Sequence, residues 1–130
     1  MHNSQLICHG IDILELDEFS KIYNSFPTQF LKAYFTSHEV SQLKIDTHTI
    51  EKLASRFAVK EAVLKALGTG WGGGVSFKDV EVLTENSGAL SITLYRKLES
   101  VSLNKGILNW HISTSHTKNI VMASVIGSHT

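Results

Sequence analysis

IEKLASRFAVKEAVLKAL, residues 50–67, decides the reading of this chain. Ile50, Leu53, Ala54, Phe57 and Leu64 recur at helical spacing. Thr47 or Thr49 can cap the start, and Gly68 can take the left-handed conformation that closes a helix. Upstream, LICHGIDIL at residues 6–14 predicts a buried strand with apolar residues on both faces. A helical region over residues 17–33 follows, broken near Pro27, whose missing N–H disrupts a helix interior. Thr36-Ser37-His38-Glu39 has capping-box spacing and predicts a second short helix. Downstream comes a glycine-rich loop from Gly68 to Gly74, then a strand over residues 75–83. Asn86-Ser87-Gly88 is a turn, and Leu90, Ile92 and Leu94 alternate with polar residues. Residues 95–105 predict a helix ended by Gly106. Trp110, Ile112 and Thr114 alternate again, and residues 120–126 close a last hairpin. The pattern is a single α+β domain over residues 1–130, an antiparallel sheet packed on one long helix.

Hydrophobic residues make up 42% of the chain, enough for a core, and twelve basic residues balance twelve acidic ones. Such a chain has no global field to draw in nucleic acid or an anionic membrane, so any anion must be held locally. Cys8 is the single cysteine, cannot form an internal disulfide and sits in an apolar run, as expected of a packing residue in a reducing, cytoplasmic setting. No signal-peptide pattern and no run of roughly 20 apolar residues is found, so neither export nor a membrane span is expected.

Two carboxylates stand where apolar residues belong. At about 100° per residue, Glu61 falls near the middle of the stripe made by Ile50, Phe57 and Leu64. Asp12 lies between Ile11 and Ile13 in a strand with few polar residues. An unpaired buried carboxylate costs several kcal/mol, so two of them suggest a shared partner. A hard divalent cation is one, because magnesium takes one or two carboxylates and completes its shell with water and phosphate. The alternatives are that Asp12 caps a turn and that Glu61 pairs with Lys65 or a buried arginine. Arg56, Lys60 and Lys65 around Glu61 would suit a polyphosphate, or form a solvated charged face.

The glycine loop follows a helix, whereas a P-loop precedes one, so the helix dipole gives no phosphate site here. Its glycines allow close approach of a ligand to the backbone, or simply make a flexible connection. The seven histidines form no ligand set. His116 ends a strand at a turn, and no acid is evident to complete a triad with Ser115.

Gly10-Ile11-Asp12-Ile13-Leu14-Glu15-Leu16, followed about fifty residues later by Arg56-Phe57-Ala58-Val59-Lys60-Glu61-Ala62 and Lys65-Ala66-Leu67-Gly68-Thr69-Gly70, resembles the holo-acyl-carrier-protein synthases, the small branch of the phosphopantetheinyl transferases. Phe35-Thr36 with Glu39, and Ser113-Thr114-Ser115-His116 with the closing strand, extend the resemblance over nearly the whole chain. It implies the 4′-phosphopantetheinyl transferase fold and the transfer of phosphopantetheine from coenzyme A to a serine of apo-acyl carrier protein, releasing 3′,5′-ADP, in support of fatty acid biosynthesis. It further implies Mg2+ on Asp12 and Glu61, with Glu61 helping to remove the serine proton and Lys65 stabilising the leaving group. Arg56, Lys65, Gly68, Thr69, Gly70 and His116 would contact coenzyme A, in a homotrimer with sites between subunits.

The chain departs from the family pattern in three places. Ile11 replaces a threonine, Gly88-Ala89-Leu90 stands where Gly-Lys-Pro is usual, and the first helix is poor in basic residues, with Lys21 and Lys32 against Glu15, Asp17 and Glu18. If the carrier docks on that helix, Phe19, Ile22 and Phe26 are the expected apolar contacts. The competing readings are a metal-dependent pyrophosphatase using the same acids, separable by 3′,5′-ADP release without carrier, and a non-catalytic binding module, which has no need of buried acids.

Overall fold

The computed structural model describes residues 6–44 and 47–130. Strand β1 (Leu6–Glu15) leads into helices α1 (Leu16–Ser25), α2 (Pro27–Tyr34) and α3 (Ser37–Ser41). The long helix α4 (Thr49–Leu67) follows, then the hairpin β2 (Val80–Thr84) and β3 (Leu90–Leu94), helix α5 (Arg96–Asn104), and the closing hairpin β4 (Asn109–His116) and β5 (Ile120–Ser128). Pro27 opens α2 at its first position, where its missing N–H costs nothing. Thr36 caps α3 in a complete capping box with Glu39.

The expected antiparallel sheet forms three strands, in the order β1-β5-β4, and β2 and β3 make a separate two-stranded sheet. The strand expected from residue 75 begins only at Val80, because Ser76 and Asp79 close a capping box over a 3-10 turn at Phe77–Asp79.

Helix α4 packs against β1, β5, α1, β2 and β4. Leu53, Ala54, Ala58, Val59, Ala62 and Val63 are fully buried. The helix therefore has no solvent face of the kind expected for Lys60 and Arg56, and both are buried. Lys60 and Glu39 side chains are 0% exposed and pair at 2.9 Å. Lys60 Nζ also donates to the carbonyls of Phe77 (2.8 Å) and Val80. Glu39 accepts from the N–H groups of Thr36 and Val82 at 2.8 and 2.9 Å. Each charge is thus saturated by hydrogen bonds, the condition under which a buried ion pair is tolerated. The pair ties α3, α4 and β2 together. At the helix start His48, not a threonine, occupies the N-cap, without a side-chain cap bond.

Strand β1 does not bury both faces as expected. Its inner face meets α4 while Ile11 and Ile13 point outward, Ile13 60% exposed. Gly10 makes this contact possible: a Cβ there would stand 1.9 Å from the carbonyl oxygen of Ala62 and 2.9 Å from the amide of Ala66. The strand lies directly on the helix backbone. Side chains repeat on one strand face every two residues, so Asp12 is delivered to the same surface.

Candidate active site

Asp12 projects from β1 toward the C-terminal turns of α4. Its side chain is 11% exposed, and Oδ1 accepts from Lys65 Nζ at 2.9 Å. Lys65 also donates to the Ile11 carbonyl at 3.1 Å. Its ion-pair partner is therefore Asp12 across the strand–helix contact, not Glu61 one turn away. Glu61 is half-buried and accepts from Trp71 Nε1 at 3.3 Å through Oε2. Burial pushes the Glu61 carboxyl above the usual carboxylate range. The Trp71 bond opposes this, the Asp12 charge adds to it and Lys65 counteracts it. The two acids thus act on each other electrostatically.

Gly68, at φ 71°, closes α4 in a Schellman arrangement: its N–H donates to the Lys65 carbonyl and that of Thr69 to the Leu64 carbonyl, both at 3.2 Å. This turns the chain sharply, so Thr69 and Gly70 sit next to the helix end that carries Glu61 and Lys65. The loop then runs through Gly72, Gly73 and Gly74, all at positive φ. Its far end is anchored by Arg96, which donates to the Gly74 carbonyl at 2.7 Å and grips Asp79 with two bonds of 2.8 Å. That grip holds Arg96 itself at φ 53°, unusual for a residue with a side chain.

Among the described residues, three buried side-chain polar atoms have no hydrogen-bond partner: Asp12 Oδ2, Arg56 Nε and Thr69 Oγ1. Buried polar atoms are nearly always paired, and each exception calls for an explanation such as an ordered water, a bound ion or a catalytic role. All three belong to residues that the sequence assigned to one site. No group of three or more His, Cys, Asp or Glu side chains capable of holding a metal exists among the described residues. The donor set is two carboxylates, one with an orphaned oxygen, and this fits a magnesium ion that draws its other ligands from water and phosphate.

Asp12, Glu61, Lys65, Gly68, Thr69 and Gly70 come together at the C-terminal end of α4. Arg56 lies further back, donating to the Lys52 carbonyl (3.3 Å) and to Thr84 Oγ1 (2.8 Å). His116 is at the opposite end: its nearest acid is Glu51 at 4.0 Å, and Glu51 and Glu61 are separated by about 15 Å of helix rise. Within one chain, His116 does not reach the acids. Trp71 was missed in the sequence, although a lone indole among glycines is a signal that something must anchor that loop.

The sequence model of the 4′-phosphopantetheinyl transferase superfamily matches residues 9–124. The holo-[acyl-carrier-protein] synthase of Koribacter versatilis is 37% identical over 117 residues, covering 90% of this chain and 94% of that protein. The crystal structure of holo-[acyl-carrier-protein] synthase from Neisseria meningitidis superposes with a TM-score of 0.83 at 28% identity, covering 95% of this chain and 98% of that one. The Helicobacter pylori synthase, solved in complex with coenzyme A, gives 0.77 at 30% identity over 92% and 99% of the two chains. Asp12, Glu61 and the whole of α4 fall inside the matched region, and this chain belongs to the 4′-phosphopantetheinyl transferase superfamily.

Proposed function

We propose that this chain is a magnesium-dependent holo-acyl-carrier-protein synthase, which moves the 4′-phosphopantetheine of coenzyme A onto a serine of apo-acyl carrier protein. The observation that carries this reading is the meeting of Asp12, Glu61 and Lys65 beside the glycine loop, with Asp12 Oδ2 buried and unpaired. Asp12 and Glu61 would hold the cation, which when bound would neutralise the pyrophosphate and polarise the phosphoryl group under attack. The serine oxygen forms a bond to the β-phosphorus, and the bond from that phosphorus to the bridging oxygen of 3′,5′-ADP breaks. Glu61 takes the serine proton directly or through water. Lys65, 57% exposed, stabilises the charge that develops on the departing 3′,5′-ADP. Thr69 has an unpaired hydroxyl to offer coenzyme A, Gly68 and Gly70 let its phosphates approach the backbone, and Arg56, set further back with an unpaired Nε, would reach coenzyme A held at a neighbouring subunit.

The assembly is a homotrimer with each site between two subunits. Two observations support it. His116 stands far from the acids of its own chain, in keeping with its reaching coenzyme A at a neighbouring subunit's site. The outer face of the β1-β5-β4 sheet also leaves Ile11 and Ile13 exposed beside Met122 and Ile126. The reaction is cytoplasmic, in keeping with the lone unpaired Cys8. No helix among the described residues is long and apolar enough to cross a membrane.

The carrier docks on α1 and α2, where Ile22 and Phe26 (66% exposed) offer apolar contacts and the exposed Lys21 and Lys32 offer positive charge. Phe19 is not part of that surface. It is buried, edge-on to Phe30 and Phe57 at 5.4 and 5.6 Å. Release of 3′,5′-ADP from coenzyme A, measured with and without apo-carrier, tests the reading. Release that needs no carrier would make the protein a pyrophosphatase.

A further inference from the structure

The loop from Gly68 to Gly74 contains five glycines and a single large side chain, Trp71. A backbone of that composition holds no fixed shape unaided, because glycine loses more conformational freedom on ordering than any other residue. The indole supplies what the backbone lacks. It stacks on Phe77 with centroids 3.6 Å apart and planes 19° apart, and Phe77 stacks in turn on Phe57 of α4 at 4.9 Å and 21°. The Phe77 carbonyl is itself held by the buried Lys60 ammonium at 2.8 Å. The ring plane is therefore set by the core, and with it the direction of the indole N–H. That direction meets Glu61 Oε2.

We propose that Trp71 is a positioning residue: its core-anchored indole N–H orients the Glu61 carboxylate toward the Asp12 side of the site and fastens the glycine loop to the acid pair. The proposal rests on the reading of Glu61 as a metal-holding acid and adds how that acid is aimed. At 3.3 Å the bond is long for one to a carboxylate, so its contribution lies in restricting rotation of the carboxylate. Groups that orient a metal ligand typically contribute about 10–100-fold in affinity or activity.

The test separates the N–H from the ring. Trp71→Phe keeps an aromatic face on Phe77 and removes the donor, and Trp71→Leu removes both. Trp71 and Trp110 are the two tryptophans, so the protein gives two indole N–H signals in a 1H–15N spectrum, assigned with Trp110→Phe. Glu61→Gln should move the Trp71 signal and leave that of Trp110 in place. Trp71→Phe should weaken Mn2+ binding, followed by electron spin resonance, by about 10–100-fold, and lower kcat by a similar factor with an unchanged KM for the carrier. Trp71→Leu should match it in Mn2+ affinity and additionally lose thermal stability. An unmoved indole signal in Glu61→Gln, or wild-type Mn2+ affinity in Trp71→Phe, overturns the proposal, as does a wild-type protein that binds no Mn2+. A wild-type protein that shows the Glu61-dependent indole signal and Trp71-dependent Mn2+ binding but transfers nothing supports the proposal and overturns the transferase reading.

Discussion

Lys65 Nζ lies 2.9 Å from Asp12 Oδ1, while Asp12 Oδ2 is buried without any partner. One oxygen of this carboxylate is thus matched to a cation of the chain, and the other is the one that the proposed metal would use. Because Lys65 is 57% exposed, its ammonium can serve the substrate without crossing a desolvation barrier. Lys65→Ala should lower kcat by about 10²–10³-fold and change KM for coenzyme A much less, since charge on the leaving group builds mainly in the transition state. Steady-state kinetics checks this, and a rise in KM with constant kcat would make Lys65 a binding residue only.

Glu61 couples the site to stability. Burial raises its carboxyl above the unfolded value of 4.5, so the folded protein binds that proton more tightly than the unfolded chain does. Without metal, its ionisation therefore costs stability as pH rises from 4.5 through the folded value, and the cost persists above it. Glu61→Gln should raise the melting temperature of the metal-free protein at neutral pH, and the gain should vanish below pH 4.5. Thermal melts in chelator across a pH series measure it.

The buried Lys60–Glu39 pair should behave oppositely. Lys60→Met leaves Glu39 charged, fully buried and short of one donor, at a cost of about 3–5 kcal/mol. Neutralising both ends with Lys60→Met and Glu39→Gln should recover part of that loss, because no uncompensated charge remains. Urea unfolding of the two variants decides it.

Gly10→Ala should destabilise the fold by about 1–3 kcal/mol or more and separate β1 from α4, since the new Cβ meets backbone at 1.9 Å, which no rotamer change relieves. Because Asp12 rides on that strand, activity should fall further than the loss of folded protein explains. Comparing turnover per folded molecule with the unfolding midpoint checks this.

Local signals in the sequence were reliable guides. The capping box at Thr36 and Glu39, the break at Pro27 and the Gly68 cap each depend on residues within a few positions, and each stands as read. Asp12 and Glu61 stood out as candidates because a carboxylate in an apolar segment is conspicuous, and the strand and helix that carry them pack together. Lys60 was not: its partner is 21 residues away on another helix, and helical spacing alone cannot tell a buried lysine from a solvated one. The 3-10 turn before β2 was marked by Ser76 and Asp79 at capping spacing, but the apolar run around them read as strand. The place of His116 depends on which end of α4 the last hairpin covers, a matter of tertiary topology.

Mass spectrometry of apo-acyl carrier protein after incubation with this chain, coenzyme A and magnesium tests the central claim most directly. The wild-type protein should add one phosphopantetheine to the carrier serine and release one equivalent of 3′,5′-ADP. Asp12→Ala and Glu61→Ala should each reduce the rate by at least about 10²-fold while remaining folded by circular dichroism. A carrier of unchanged mass with the wild-type protein, or full modification by either acid variant, would contradict it.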